Sequence, residues 1–242
     1  MSTNKTSLLP KINPAAETKR IIEFIKKTFQ DTGKKKAVIG LSGGIDSTTA
    51  YYLLKKVISP KNIIAVHLPY EQKQQPNTIS IKEPVDQIIK LLKIDDKIRI
   101  GNVMARMRMI FLFDLAKKNN ALVCGTENKT ENLLGYFTRF GDEASDLEPI
   151  QHLYKTQIYD LAKHLDISNK IISQKPTAGL WHGQTDEDQF GFTYKEADQV
   201  LYGYYEKHLD LNELIKLGFN DAQKIIKWSK DNHFKHLTPY KL

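Results

Sequence analysis

Residues 39–47 read IGLSGGIDS, and this short stretch holds a phosphate-binding set of groups. Gly43 and Gly44 can take backbone conformations closed to other residues and let a ligand come close. Ser42 and Ser47 add hydroxyl donors, and Asp46 adds a carboxylate. Gly40, Leu41, Ser42, Gly43, Gly44, Ile45, Asp46 and Ser47 together read as a strand-turn-helix junction. The N–H groups of such a turn and of the following helix N-terminus attract anions. No Lys follows the glycines in a GK[ST] arrangement, so the loop is not a Walker A motif. Two other readings stand beside the phosphate cradle. Gly40 to Gly44 formally fits G-x-S-x-G, the elbow of a nucleophilic serine, but only one helix precedes it, and an elbow has no use for Asp46. A plain tight turn would use Asp46 only as a favourable charge in the first helical turn.

The elements that must position this loop follow from periodicity. AAETKRIIEFIKKTFQDTG places Ile21, Ile22, Ile25 and Phe29 at helical spacing, with Gly33 to end the helix. KKAVIGL is an apolar run suited to a buried parallel strand. IDSTTAYYLLKKVI reads as a helix, NIIAVHLPY as a strand, VDQIIKLLKI as a helix, KIRIG as a third short strand, VMARMRMIFLFDLAKK as a helix and NALVCG as a fourth strand. Beyond it the pattern turns helical in TENKTENLLGYFT, YKTQIYDLAKHL, YKEADQVLYGYYEKHL and NDAQKIIKWSK. Alternating strands and helices imply an α/β fold, a doubly wound and mostly parallel sheet flanked by helices, with a helical C-terminal part. Ligands of such sheets bind beyond the carboxyl ends of the strands, which is where the glycine loop lies. Residues 1–14 carry little periodicity and are expected to form an extended arm.

Composition narrows the partners. The 242 residues carry a net charge of +8, which favours acidic partners or reflects only a solvated lysine-rich surface. The basic residues are scattered, with no arginine-rich arm, so no nucleic-acid partner is expected. No run approaches the roughly 20 apolar residues needed to span a bilayer. The N-terminus lacks the apolar core of a signal peptide, so a cytoplasmic protein without a membrane partner is expected. Cys124 is the single cysteine, which excludes an internal disulfide and a cysteine-built metal site.

SGGIDS resembles the pyrophosphate-binding loop of the N-type ATP pyrophosphatases, enzymes that adenylate a substrate oxygen. GNVMARMRM, CGTENKTENLLGYFTRFGDEASDLEPI, LYKTQIYDLA and KPTAGLWHGQTDED resemble, in order, blocks of the ammonia-dependent NAD synthetases. The resemblance runs from about residue 18 to the C-terminus. It implies a Rossmann-like fold, a single synthetase domain over 1–242, and ATP-dependent amidation of deamido-NAD. In that reaction the nicotinate carboxylate attacks the α-phosphorus of ATP, and ammonia then displaces AMP from the acyl adenylate. Such chemistry needs polyphosphate charge neutralised and a water-labile intermediate shielded.

The resemblance also implies roles for residues. Asp46 and Glu131 are the expected Mg²⁺ ligands, and two acids suffice for an ion that also takes phosphate oxygens and water. Thr126, Lys155 and Thr177 are the expected ATP contacts beyond the loop, with Asp46, Lys155 and Thr177 the catalytic set. By residue type alone, Thr126 would serve as the cap of a helix starting at 127, and Glu131 and Lys155 would be surface groups. Arg106, Arg139, Asp146, His233 and Phe234 are the expected deamido-NAD contacts. Arg106 and Arg108 sit among methionines and phenylalanines and are awkward to bury without an anion. The chain departs from the family pattern at three places: Arg139 replaces a common Lys, Glu143 stands where many relatives have Gly, and Phe234 replaces a Lys, with Lys235 one place later. GLWHGQTDEDQFG resembles a mobile lid with Gly179, Gly183 and Gly191 as hinges.

Glutamine-using relatives carry an added amidase domain. The synthetase pattern here starts by residue 20, so no glutaminase domain is expected and free ammonia is the expected nitrogen donor. The family also implies a homodimer. Two other functions suit part of the sequence. A tRNA-modifying enzyme of the same fold would suit the charge but would want more cysteines. A nucleotide-binding regulatory module would keep the cradle but have no use for Asp46, Glu131, Lys155 and Thr177 together.

Overall fold

The computed structural model describes residues 7–70, 77–177, 179, 183–237 and 239–240. In chain order the elements are α1 (Pro14–Thr32), β1 (Ala37–Gly40), α2 (Ile45–Lys55), β2 (Ile63–Val66), α3 (Lys82–Leu92), α4 (Lys97–Asn119) and β3 (Leu122–Cys124). There follow α5 (Lys129–Leu134), α6 (Lys155–His164), α7 (Asn169–Ile172), α8 (Asp186–Phe190), α9 (Tyr194–Tyr205), α10 (Leu211–Lys216) and α11 (Ala222–Asn232).

The three strands form one parallel sheet in the order β2-β1-β3, with Ala37 beside Ile63 on one side and Leu122 on the other. Alternate residues serve opposite faces, as strand geometry requires. Ala37, Ile39, Leu122 and Cys124 join residues of α1, α2 and α6 in one core cluster. Val38 and Val123 pack on the other face against Ala116 of α4. The α/β fold, with a parallel sheet covered on both faces, matches the expectation. A separate cluster built from α9, α10 and α11, with Leu134 of α5, makes the helical C-terminal part.

Local signals explain most boundaries. Asn13 caps α1 by accepting from the Ala15 and Ala16 N–H groups, and Gly33 ends it in the left-handed region at φ 66°. The described part of the arm is packed rather than free: the Leu8 and Leu9 N–H groups donate to Gln199 Oε1 at 2.6 and 2.8 Å, and Gln157 donates to the Pro10 carbonyl.

KIRIG departs from the reading made on periodicity. Residues 97–101 are the first turns of α4, not a strand, so among the described residues the sheet has three strands rather than four. The Asp96 carboxylate accepts the Arg99 N–H at 2.8 Å and starts the helix. Ile98 is 59% exposed, so the apolar alternation there lines no buried strand. The stretch from 126 is also less helical than expected, with only Lys129–Leu134 forming a helix.

Candidate active site

The glycine loop follows β1 directly. Gly43 sits at φ 86°, a left-handed conformation that favours glycine. The Ser42 and Ser47 hydroxyls lie 3.1 Å apart, and the Ser42 hydroxyl accepts the Gly44 N–H at 3.2 Å. Gly44 caps α2 without any side-chain acceptor, so the first N–H groups of that helix remain available to an anion. The strand-turn-helix junction is therefore present, opening at the carboxyl edge of the sheet.

Across this mouth, three expected residues meet. Lys155 Nζ donates to Asp46 Oδ2 at 2.6 Å and to Glu131 Oε1 at 3.0 Å. Asp46 also accepts from Asn128 Nδ2 at 3.1 Å. Lys155 is only 2% exposed. Burial opposes its charge, but the Asp46 and Glu131 carboxylates prevail and hold the ammonium well above the ordinary lysine range. Burial pushes the Glu131 carboxyl up, and Lys155 opposes that rise. The Tyr194 ring lies 5.0 Å from the ammonium, and its hydroxyl donates to Asp186 at 2.9 Å.

A second layer fixes this trio. Asp198 of α9 is fully buried. It accepts from the Thr130 hydroxyl at 2.6 Å and from the Thr156 N–H and hydroxyl at 2.7 and 2.6 Å. Thr130 precedes Glu131, and Thr156 follows Lys155. The Thr130 hydroxyl oxygen in turn accepts the Lys155 N–H at 2.9 Å. One carboxylate thus clamps the first turns of α5 and α6 in register.

Thr126 lies on the far side of Glu131, where Thr126, Glu127, Glu131, Tyr136, Phe137, Asp142 and Glu143 line a cavity of about 60 Å³. Thr126 does not cap α5. Asn128 does, by accepting the Glu131 N–H at 3.0 Å, because the helix begins at 129 rather than 127. Glu127 Oε2 accepts from Gln151 and Asn132, while its buried Oε1 has no partner among the described residues. Burial raises Glu127 to about 7 and Glu148 to about 8.

The remaining expected residues are more dispersed. Thr177 is exposed, and its hydroxyl accepts only the Gly179 N–H; no described contact brings it to Lys155. Leu180, Trp181 and His182 of the lid lie outside the described residues, and its later part forms α8. Arg106 Nη2 donates to the Arg139 carbonyl at 3.2 Å. Arg139 packs its guanidinium between Phe140 and Phe234, 5.4 and 5.7 Å from their ring centroids. The two family departures at 139 and 234 are therefore neighbours. His233 is exposed beside His236. Lys235 turns inward and donates to the Gly135 and Phe137 carbonyls. Glu143 accepts the Phe140 N–H at 2.7 Å and steadies a turn in which Phe140 holds φ 58°. Asp146 accepts the Val123 N–H at 2.7 Å, a bond that ties its loop to β3.

Asn128, Glu127, Glu148, Asp186, Tyr194 and Asp198 escaped sequence reasoning. Glu127, Asn128, Glu148 and Asp186 lie within blocks of family resemblance and Tyr194 and Asp198 beyond them, but no spacing signals that they converge.

Asp46 and Glu131 offer hard oxygens that meet at one ammonium, and Mg²⁺ is held by one or two such carboxylates plus phosphates rather than by a full protein cage. The donor set fits that ion. Among the described residues no group of three or more His, Cys, Asp or Glu side chains forms a metal cage.

The NAD synthase family matches residues 17–80 and 74–239. The chain is 43% identical to the NH(3)-dependent NAD(+) synthetase of Fusobacterium nucleatum, over 90% of this chain and 92% of that one. It is 40% identical to the protein of the same description from Thermoplasma acidophilum, over 93% and 97%. Among solved structures it resembles the NMN synthetase of Francisella tularensis, with a TM-score of 0.80, 32% identity and 96% and 100% coverage. The NH3-dependent NAD synthetase of Campylobacter jejuni, in complex with nitrate, gives 0.75, 28% and the same coverage. With the family matching nearly the whole chain, and with its glycine loop opening onto a buried lysine between two acids, this chain belongs to the NAD synthase family.

Proposed function

We infer that this chain catalyses the ATP-dependent amidation of deamido-NAD with ammonia, giving NAD, AMP and pyrophosphate. The observation that carries the reading is the Lys155 ammonium held by Asp46 and Glu131 at the mouth of the glycine loop. Those groups suit the departure of pyrophosphate from ATP. The N–H groups of α2 and the Ser42 and Ser47 hydroxyls bind the leaving phosphates, and Lys155 adds a fixed positive charge. Asp46 and Glu131 would hold Mg²⁺, which when bound neutralises phosphate charge.

In the first step a nicotinate oxygen bonds to the α-phosphorus, and the bond to the β-phosphate oxygen breaks. In the second the ammonia nitrogen bonds to the acyl carbon, the bond to AMP breaks and one proton is lost. The acid-lined cavity beside Glu131 and Thr126 has room for a water-sized guest and suits ammonium. Arg106, Arg139, His233 and Phe234 supply cationic and aromatic groups on one side of the 138–146 loop, where a dinucleotide would find phosphate and ring partners. Asp146 serves through that loop's tie to β3. Thr177 belongs to this reading as an ATP contact.

A homodimer is part of this reading. Ile98 and Ile110 of α4 and Leu91 and Leu92 of α3 are exposed apolar side chains, and a second copy would cover them. Sedimentation at micromolar concentration tests it. A cytoplasmic location is also part of this reading; among the described residues no helix is long and apolar enough to cross a membrane.

A second reading is amidation of the mononucleotide, favoured by the likeness to the Francisella NMN synthetase. Purified protein given ATP, Mg²⁺, ammonium and either deamido-NAD or nicotinate mononucleotide decides between them. NAD formed with equal AMP supports the first reading. Amidation of the mononucleotide alone supports the second. AMP without either amide overturns both.

A further inference from the structure

Among the described residues Arg108 is a cation with one hydrogen-bond partner and no ionic one. Its Nε donates to the Leu68 carbonyl at 3.0 Å. Among the described residues its two Nη groups have no hydrogen-bond acceptor, and no carboxylate lies within ion-pair distance. The side chain is nevertheless half-buried. Asp142 is the acid whose charge reaches it, and that carboxylate already accepts the Thr138 N–H at 2.9 Å.

Topology says where this guanidinium points. β3 is parallel to β1 and starts opposite Ala37, so α4, which ends just before it, runs antiparallel to the strands. Leu112 of α4 lies beside Gly40, since a Cβ built there would be 3.5 Å from Leu112 Cδ1. Gly40 is the last residue of β1 and the first of the glycine loop. Arg108 lies four residues before Leu112, on the same face of the helix and about 6 Å further along. It therefore projects past the carboxyl edge of β1 and β2, and the contact with Leu68, two residues beyond β2, agrees. Asp46 and Lys155 border the loop from α2 and α6, which pack on the opposite face of the sheet. Arg108 overhangs the same crevice from the α4 face.

We propose that Arg108 is a substrate-contacting residue whose free Nη groups take a phosphate oxyanion of a bound nucleotide at the crevice beside the glycine loop. The guanidinium fork matches two phosphate oxygens, which a lysine ammonium cannot reproduce. The assignment rests on the ATP-dependent reading above and adds a residue to it.

The test uses the full chain, with Arg108→Gln and Arg108→Lys compared with the parent. Equilibrium binding of Mg-ATP, pyrophosphate and deamido-NAD is measured separately at two salt concentrations, with thermal unfolding of each protein. The expected result is a loss of roughly tenfold or more for Mg-ATP or deamido-NAD in Arg108→Gln, incomplete rescue by Lys, and a shallower salt dependence. A loss confined to one of the two ligands names the substrate that brings the phosphate. Unchanged affinities for both, with or without lowered thermal stability, would overturn the proposal and leave Arg108 as a stitch between α4 and the β2 exit. Failure of the parent to bind either nucleotide would instead sink the reading on which the proposal rests.

Discussion

Lys155 Nζ sits 2.6 Å from Asp46 Oδ2 although 109 residues separate the two in the chain. Asp46 comes from the first turn of the helix after β1, and Lys155 opens α6. Glu131, on α5, joins them at 3.0 Å. This contact makes an electrostatic centre from groups that would each be ordinary on a surface.

Removing the lysine should expose the cost of that arrangement. Lys155→Met leaves two carboxylates facing each other in a dry site, a change of the kind that costs about 3 kcal/mol or more. Urea unfolding measures it. Mg²⁺ should restore part of the loss in the variant, because an ion that binds only the folded chain stabilises it. No Mg²⁺ effect on unfolding would count against Asp46 and Glu131 as metal ligands. Near-normal AMP formation by Asp46→Asn would do the same.

Asp198 should act through its neighbours. Asp198→Asn keeps the volume but offers one carboxamide oxygen where two carboxylate oxygens accept three hydrogen bonds. A loss of about 1–3 kcal/mol in stability is expected. A fall in kcat larger than any change in the KM for ATP should accompany it, as α5 and α6 lose register. Unchanged kcat with lowered stability would reduce Asp198 to a structural role.

Glu127 gives a pH signature. Burial raises its carboxyl from 4.5 to about 7, so the folded chain prefers the protonated form. Its contribution is complete below the unfolded value, near 4.5, and is lost as pH rises through about 7. The stability difference between the parent and Glu127→Gln should therefore shift by up to about 3 kcal/mol from pH 5 to pH 8, the parent losing ground. Parallel denaturation midpoints across that window would refute the assignment.

Arg106 separates the two nucleotide substrates. Its side chain donates to the Arg139 carbonyl in the 138–146 loop. Arg106→Ala should raise the KM for deamido-NAD by roughly tenfold and leave that for ATP within about twofold. Equal rises for both would remove Arg106 from the dinucleotide side.

Much of the architecture was legible in the chain because it rests on local physics. The apolar run at 37–40 can only be buried, Gly33 suits a left-handed helix end, and SGG frees the N–H groups of α2 for an anion. The family blocks between residues 101 and 188 named the reaction, and with it Glu131 and Lys155. KIRIG misled because Ile98 and Ile100 alternate over a span too short to tell a strand from the start of a helix. Asp96 decided it by capping the turn, and the apolar residues further along α4 carried the helix onward. Thr126 misled in the same way, since Asn128 is an equally good cap and stands two residues later, directly before α5.

Tertiary structure alone decided which polar groups meet. Nothing in the spacing of Asp46, Glu131, Lys155 and Asp198 places them together, because each stands on a different helix. Their convergence depends on how α2, α5, α6 and α9 pack around the carboxyl edge of β1. That packing is set by apolar contacts in the clusters on the sheet face and in the C-terminal helices. The sequence determined the fold class, the anion-binding loop and the family chemistry. The packed helices decided that a buried lysine, rather than solvent, would stand between the two acids.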